Sequence, residues 1–302
     1  MSRILSSKFI SLLGFLLLEL VMVGCVSRCN CTNTVSSPKI GSVKIPSSVS
    51  FASEKLPLET QEVRERLERE LIVNQNYHTS TILIYKSIAR YKDLILKILK
   101  ENEVPEDFFY LAVAESALNP NATSSANAVG VWQFMQPTAE AFGLEINSYV
   151  DERRNLVKAT KAACRHLRES YKEFGSWTMA AAAYNRGNRG LKDAVVGQKQ
   201  TDYYKLYLNQ ETYRYVFRIV ALKIILTNPE DYNFALSQDD MYPTYKLRSV
   251  IVKESIPSLP EFAIAQGTNY KELILHNPWI RTGKYNFDVG KDKTYEFLLP
   301  DN

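Results

Sequence analysis

From Leu56 to about Asn233 apolar residues recur at helical spacing, with no internal repeat and no strict polar–apolar alternation. That pattern reads as a compact bundle of short and medium helices around one core. Glu59–Ile72, Ile82–Leu99, Asn155–Phe174 and Glu211–Thr227 are its clearest members; Gly175 stops the third and Pro229 follows the fourth.

One stretch of the bundle, Asp107–Asn119, carries a chemical constraint as well. Pro105 suits the first turn of a helix, where its missing N–H would have had no partner. Asn119-Pro120 suits the end of one, because the residue before proline avoids helical dihedrals. In between, Phe108, Leu111, Ala112 and Glu115 recur at i, i+3, i+4 and i+7, on one face. A carboxylate therefore occupies a slot in the buried stripe, where burial disfavours its charged form and raises its pKa. An acid still protonated near neutral pH is what cleavage of a glycosidic bond requires. On this stretch alone, an ordinary helical glutamate at the stripe edge fits equally well.

Two further polar islands sit in apolar helical surroundings: Asn127 to Gln133, followed by Phe134-Met135, and Ala182 to Asn185, closed by Gly187. In the latter Trp177, Ala180, Ala181 and Tyr184 share a face, and the small alanines permit close approach of another element or a ligand. Core packing with a helix cap is the alternative for each.

Taken together, Glu115-Ser116, Gly130-Val131-Trp132-Gln133 and Ala183-Tyr184-Asn185 resemble, in order and spacing, the three motifs of the soluble-lytic-transglycosylase family, which shares the goose-type lysozyme fold. Flanking stretches, among them Glu62 to Arg66, Phe174 to Trp177 and Arg214 to Arg218, resemble its membrane-bound D-type branch. The resemblance implies a lysozyme-like helical catalytic domain and cleavage of peptidoglycan glycan strands without water. It assigns Glu115 as the catalytic acid, then base, and Ser116, Ser124, Gly130, Gln133, Tyr184 and Asn185 to binding the N-acetyl sugars. Three departures from the family pattern are Asn127 in place of glycine, Val131 in place of leucine, and Pro137 one position late. Asparagine tolerates left-handed dihedrals, so the loop can survive the first. The alternatives are a goose-type-lysozyme-like hydrolase, which needs a second polar group to position water, and a non-catalytic wall-binding protein.

The ends of the chain suggest export and a second module. Residues 1–24 have a basic start and a short apolar run interrupted by Glu19, as in a signal peptide. Met22-Val23-Gly24-Cys25 resembles a bacterial lipoprotein signal, implying lipid on Cys25 and a membrane-held protein in the cell envelope, at the outer membrane facing the periplasm. Residues 25–55, rich in Ser, Thr, Asn and Pro, read as a flexible tether. The catalytic domain is expected over 56–235. Over 245–302 the order strand, helix, helix, strand resembles a LysM module that binds peptidoglycan. The fold class is thus mainly α with a small α+β module. A net charge of +4, with Lys and Arg scattered, gives no sign of nucleic acid. His78, His166 and His276 lie far apart with no zinc spacing, so no metal or other cofactor is expected. The partners are glycan strands and the membrane, and the chain is expected to be a monomer.

Overall fold

The computed structural model describes residues 41–301. The expected export signal, Cys25 and most of the tether lie outside these residues. From Ser42 onward the chain forms one compact unit holding two hydrophobic cores.

The larger core is helical: α1 (Gln61–Asn76), α2 (His78–Glu101), α3 (Phe108–Ser116), α4 (Gln136–Ala141), α5 (Leu156–Phe174), α6 (Trp177–Arg186), α7 (Asn188–Gln198) and α8 (Gln210–Thr227). Helix α8 buries Tyr215, Val216, Phe217, Ile219, Val220, Ala221 and Ile225, and a helix apolar on most sides must be surrounded. Helices α1, α3 and α6 pack against it. The α1 contact is polar as well as apolar. Arg66 is only 7% exposed and lies over Tyr213 and Phe217, 3.5 and 4.3 Å from their ring centres. Glu70, 1% exposed, accepts from Arg214 Nε at 2.6 Å. Buried charges are tolerated only when paired, so these contacts fix α8 against sliding or turning.

The tether ends earlier than its expected limit at residue 55. Ser50–Phe51 (β1) and Glu54–Lys55 (β2) form a small antiparallel hairpin, and Phe51 is fully buried with its ring 5.2 Å from that of Phe108. The hairpin also serves two helix N-termini. Ala52 N and Lys223 Nζ both donate to Asp107 at the start of α3, each at 2.7 Å. Glu54 accepts from Trp177 N (2.6 Å) and Thr178 N (2.9 Å), satisfying amides that the first turn of α6 leaves unpaired. So short an apolar run, set in a serine-rich stretch, gives composition nothing to detect.

The smaller core belongs to β3 (Leu247–Val252), α9 (Leu259–Ala265), α10 (Tyr270–His276) and β4 (Tyr295–Pro300), with β3 and β4 antiparallel from Leu247↔Pro300 to Val252↔Tyr295. The order matches the expected strand-helix-helix-strand. The module is not loosely attached. Asp151 N donates to Trp279 O (2.8 Å), Arg281 N to Tyr149 O (2.9 Å), and Val150 is part of the smaller core. Glu145 accepts from Tyr295 Oη at 3.1 Å and pairs with Lys293. A segment of the helical body is thus built into the module.

Candidate active site

Helix α3 stops at Ser116, three residues before the expected end. Ala117 and Leu118 both take left-handed dihedrals (φ 53° and 61°), which cost a non-glycine residue about 1 kcal/mol each. The sharp stop places Glu115 on the last turn. Its stripe mates Phe108, Leu111 and Ala112 are fully buried, whereas Glu115 itself is half-buried at the edge of the core. Burial pushes its pKa from 4.5 up to about 7; a hydrogen bond from Tyr215 and the charge of Arg218 oppose the rise, and Glu211 adds to it.

Tyr215 on α8 donates its hydroxyl to Glu115 Oε1. Burial and the neighbouring carboxylate hold that phenol far above its ordinary pKa, so it remains a donor. Oε2 has no protein partner among the described residues and is not sealed from solvent. A hydroxyl has one proton to give, so with Oε1 accepting from Tyr215 the acidic proton of Glu115 belongs on Oε2, the free oxygen.

The second island forms a folded loop from Asn119 to Phe134, pinned by the bridges Thr123↔Val129 and Val129↔Phe134. Asn127 is left-handed (φ 63°), as its residue type allows, and Gln133 (φ 48°) is left-handed too. Gly130 has φ +82°, and a Cβ there would lie 1.9 Å from the carbonyl oxygen of Arg153, so the loop admits no side chain at this point. Ser124 Oγ accepts from Ala128 N (3.0 Å) and Gln133 Nε2 donates to Gly130 O (2.8 Å).

Four hydrogen bonds link the islands into a closed ring. Ser116 Oγ donates to Val131 O (2.9 Å), joining α3 to the loop. Tyr184 Oη donates to Trp132 O (2.7 Å), joining α6 to the loop. Thr212 Oγ1 donates to Asn185 Oδ1 (2.8 Å), joining α8 to α6. Tyr215 to Glu115 closes the ring back to α3. Asn185 has its carbonyl committed, which leaves its NH2 to meet a ligand. The core anchors two links: Trp132 is fully buried and donates to Thr160 Oγ1 (2.9 Å), and the Tyr184 ring lies 4.9 Å from that of His166. Burial lowers the His166 pKa to about 4, so the ring is neutral.

The ring and its loop hold the sequence-derived site residues Glu115, Ser116, Ser124, Gly130, Gln133, Tyr184 and Asn185. Ser116 donates its hydroxyl to backbone and Ser124 Oγ accepts from backbone, so both shape the loop, and the Ser124 proton is left to give. Tyr110, a candidate for lining the site, contacts Thr227 Oγ1 instead (3.2 Å). Sequence reasoning missed Tyr215 and Thr212. The available signal was a tyrosine set between Arg214 and Arg218 on an otherwise apolar helix.

Parts of the chain match known families. Residues 93–207 match the Transglycosylase SLT domain, and residues 248–302 match the Soluble lytic transglycosylase C-terminal LysM-like domain. The chain thus carries an SLT domain followed by a LysM-like domain. It is 33% identical over 187 residues, 60% of its length, to Membrane-bound lytic murein transglycosylase D of Escherichia coli K12, of which the match covers 40%. The same figures hold for that protein in Escherichia coli O6:H1. The chain thus spans less than half the length of these relatives. Among solved structures, the 70 kDa soluble lytic transglycosylase of Escherichia coli superposes with a TM-score of 0.39 at 22% identity, covering 51% of this chain and 27% of that one. With so low a score, the assignment rests on the sequence matches.

Proposed function

We propose that the chain is a peptidoglycan lytic transglycosylase, cleaving the bond between N-acetylmuramic acid and N-acetylglucosamine and leaving 1,6-anhydro ends. One observation carries this: the hydrogen-bond ring contains a single carboxylic acid, half-protonated near neutral pH, with one oxygen fixed and the other free. A hydrolase of the usual kind needs a second carboxylate to activate water or to form the glycosyl intermediate.

In the proposed reaction the Glu115 Oε2 proton passes to the glycosidic oxygen as the C1–O bond breaks. The substrate's own acetamido oxygen supports the positive charge at C1. The Glu115 carboxylate then takes the proton of the C6 hydroxyl, whose oxygen bonds to C1. Because that nucleophile is intramolecular, proximity alone contributes up to about 7–11 kcal/mol. Tyr215 stabilises the carboxylate between the two transfers. The Asn185 NH2 would hold the acetamido group. Gln133 and Gly130 form the cleft wall, with Tyr184 behind it.

The test is mass spectrometry of digested sacculi. Anhydro-muramic ends support the reading; reducing ends would make the protein a hydrolase, and binding without fragments a non-catalytic wall protein. The catalytic region spans 56–235 and a wall-binding module spans 245–302. Both would be exported, monomeric and held by lipid on Cys25 at the outer membrane. The membrane-bound name of the relative is consistent with this.

A further inference from the structure

The loop that carries Gly130 and Gln133 rests on the turn Glu152–Arg154. Arg153 of that turn is buried, and its guanidinium serves two sides at once. Nε and Nη2 hold the two oxygens of the buried Asp151, each at 2.8 Å. Nη1 donates to Asn127 O and Phe134 O, both at 3.3 Å. These carbonyls sit at the strained points of the loop: Asn127 is itself left-handed, and Phe134 follows the left-handed Gln133. Strained turns persist only where something outside them holds their shape. A guanidinium is planar with its donors in a fixed fork, so it ties the loop to Asp151 in angle as well as distance. Arg154 adds Thr123 Oγ1 (2.9 Å) and Pro120 O (3.3 Å) at the start of the loop.

Asp151 meets the C-terminal module through its backbone. Its N–H donates to Trp279 O at 2.8 Å, and Arg281 N donates to Tyr149 O at 2.9 Å. Between them Val150 bridges to Ile280 and buries its side chain in the module's core. Arg281 Nη2 also stands 3.7 Å from Asp151 Oδ2. The path from module backbone to loop backbone therefore runs through the buried Asp151–Arg153 pair. Removing one partner of such a pair leaves an uncompensated charge, so the path holds or fails as a unit.

We propose that the module has a second duty, to brace the cleft loop, and that Arg153 is the positioning residue through which it does so. This rests on the reading of that loop as the wall of the glycan cleft. A module that only binds the wall contributes nothing to turnover of a glycan too short to reach it. A brace contributes to every turnover, because a misplacement of about 1 Å in a positioning element costs about a hundredfold in rate.

The test uses the full chain and two variants of it, Arg153→Lys and Val150→Ala. Lysine keeps a charge beside Asp151 but has no fork to span both sides. Val150→Ala opens a gap on the module's side of the joint and leaves Arg153 in place. Fragment release from a soluble glycan of about four sugars is measured where circular dichroism shows each chain fully folded. Arg153→Lys should lower kcat/KM about ten- to a hundredfold, and Val150→Ala about threefold or more. The alkaline limb of the pH–rate profile should stay at about 7 in both, because Glu115 is held by Tyr215 from α8. A merely structural role would lower the unfolding midpoint and leave kcat/KM of the folded chain within about twofold. That result in either variant, or a shifted limb, overturns the brace. Should the wild type release nothing from any glycan, the function reading fails separately, and hydrogen exchange decides. The amides of Gly130 and Phe134 should then lose protection about tenfold in Val150→Ala, while those of residues 216–225 on α8 keep theirs. Unchanged protection at Gly130 and Phe134, or equal loss on α8, overturns the brace.

Discussion

Between Glu115 and Gln133, four non-glycine residues hold left-handed dihedrals: Ala117, Leu118, Asn127 and Gln133. In the C-terminal module, from Leu247 on, Asp292 is the one described non-glycine residue that does so. The module's helices are closed by ordinary local bonds, Ser258 accepting from Glu261 N and Asn269 from Glu272 N. Its buried Asn277 meets backbone through both halves of its amide, at 2.7 to 2.8 Å. Around Glu115, by contrast, the bonds run between distant elements: Tyr215 lies a hundred residues away and Tyr184 fifty-two from Trp132. The module's helix caps are satisfied locally, while the ring accepts local strain to hold an acid with one free oxygen. Strain of this kind persists only where surroundings over-determine it. Here the α1–α8 clamp and the buried Trp132 supply that constraint.

The largest effects should fall on the ring. Glu115→Gln should lower turnover by about 10²–10⁴-fold, the usual contribution of a general acid–base group. It should also stabilise the fold, and the sign can be worked out. Folding raises this carboxyl's pKa from 4.5 to about 7, so as pH rises the unfolded chain loses the proton first. Stability therefore falls between those values and stays lower above them, by up to about 3 kcal/mol. Denaturant titration should show Glu115→Gln more stable than wild type at about pH 8 and equal to it at about pH 4. Lower stability at the higher pH would mean that the buried charge is compensated. Gly130→Ala comes next. Its Cβ would collide with the Arg153 backbone and its φ is left-handed, so a loss of about 3–5 kcal/mol is expected in thermal or denaturant unfolding.

Tyr215→Phe should have a smaller, kinetic effect. The phenol's hydrogen bond favours the charged carboxylate and holds the Glu115 pKa down. Removing it should move the alkaline limb of the pH–rate profile upward from about 7 and cost about tenfold in kcat at the optimum. A limb that stays in place would mean that Tyr215 only packs beside Glu115.

Much of this was legible in the sequence, for reasons that mark where legibility ends. The apolar stripe of Phe108, Leu111 and Ala112 gave the site helix and the raised pKa of Glu115, because both follow from local spacing. The order of the module's elements was legible for the same reason. Tyr215 was not, because nothing near it in sequence says which helix it faces. Nor was the partner of the Ser116 hydroxyl, because a hydroxyl one residue from the acid can turn either to a ligand or to a neighbouring carbonyl. The hairpin at Ser50–Lys55 escaped because its value lies in caps it provides more than a hundred residues away.

The finest test of the contrast compares one substitution in each region. Ala117 is exposed and left-handed, so Ala117→Gly should remove strain and offset glycine's larger unfolded-state entropy, leaving stability unchanged or about 1 kcal/mol higher. In the module, Asn269→Ala deletes the cap of α10 and should cost about 1 kcal/mol. The two should also separate in function. Relaxing the turn after Glu115 lets the last turn of α3 fray, so Ala117→Gly should lower kcat severalfold despite its stability. Asn269→Ala should leave turnover of short soluble glycans unaltered. If both variants moved activity in proportion to stability, the strain at Ala117 would be incidental to the site, and the ring would be held by packing alone.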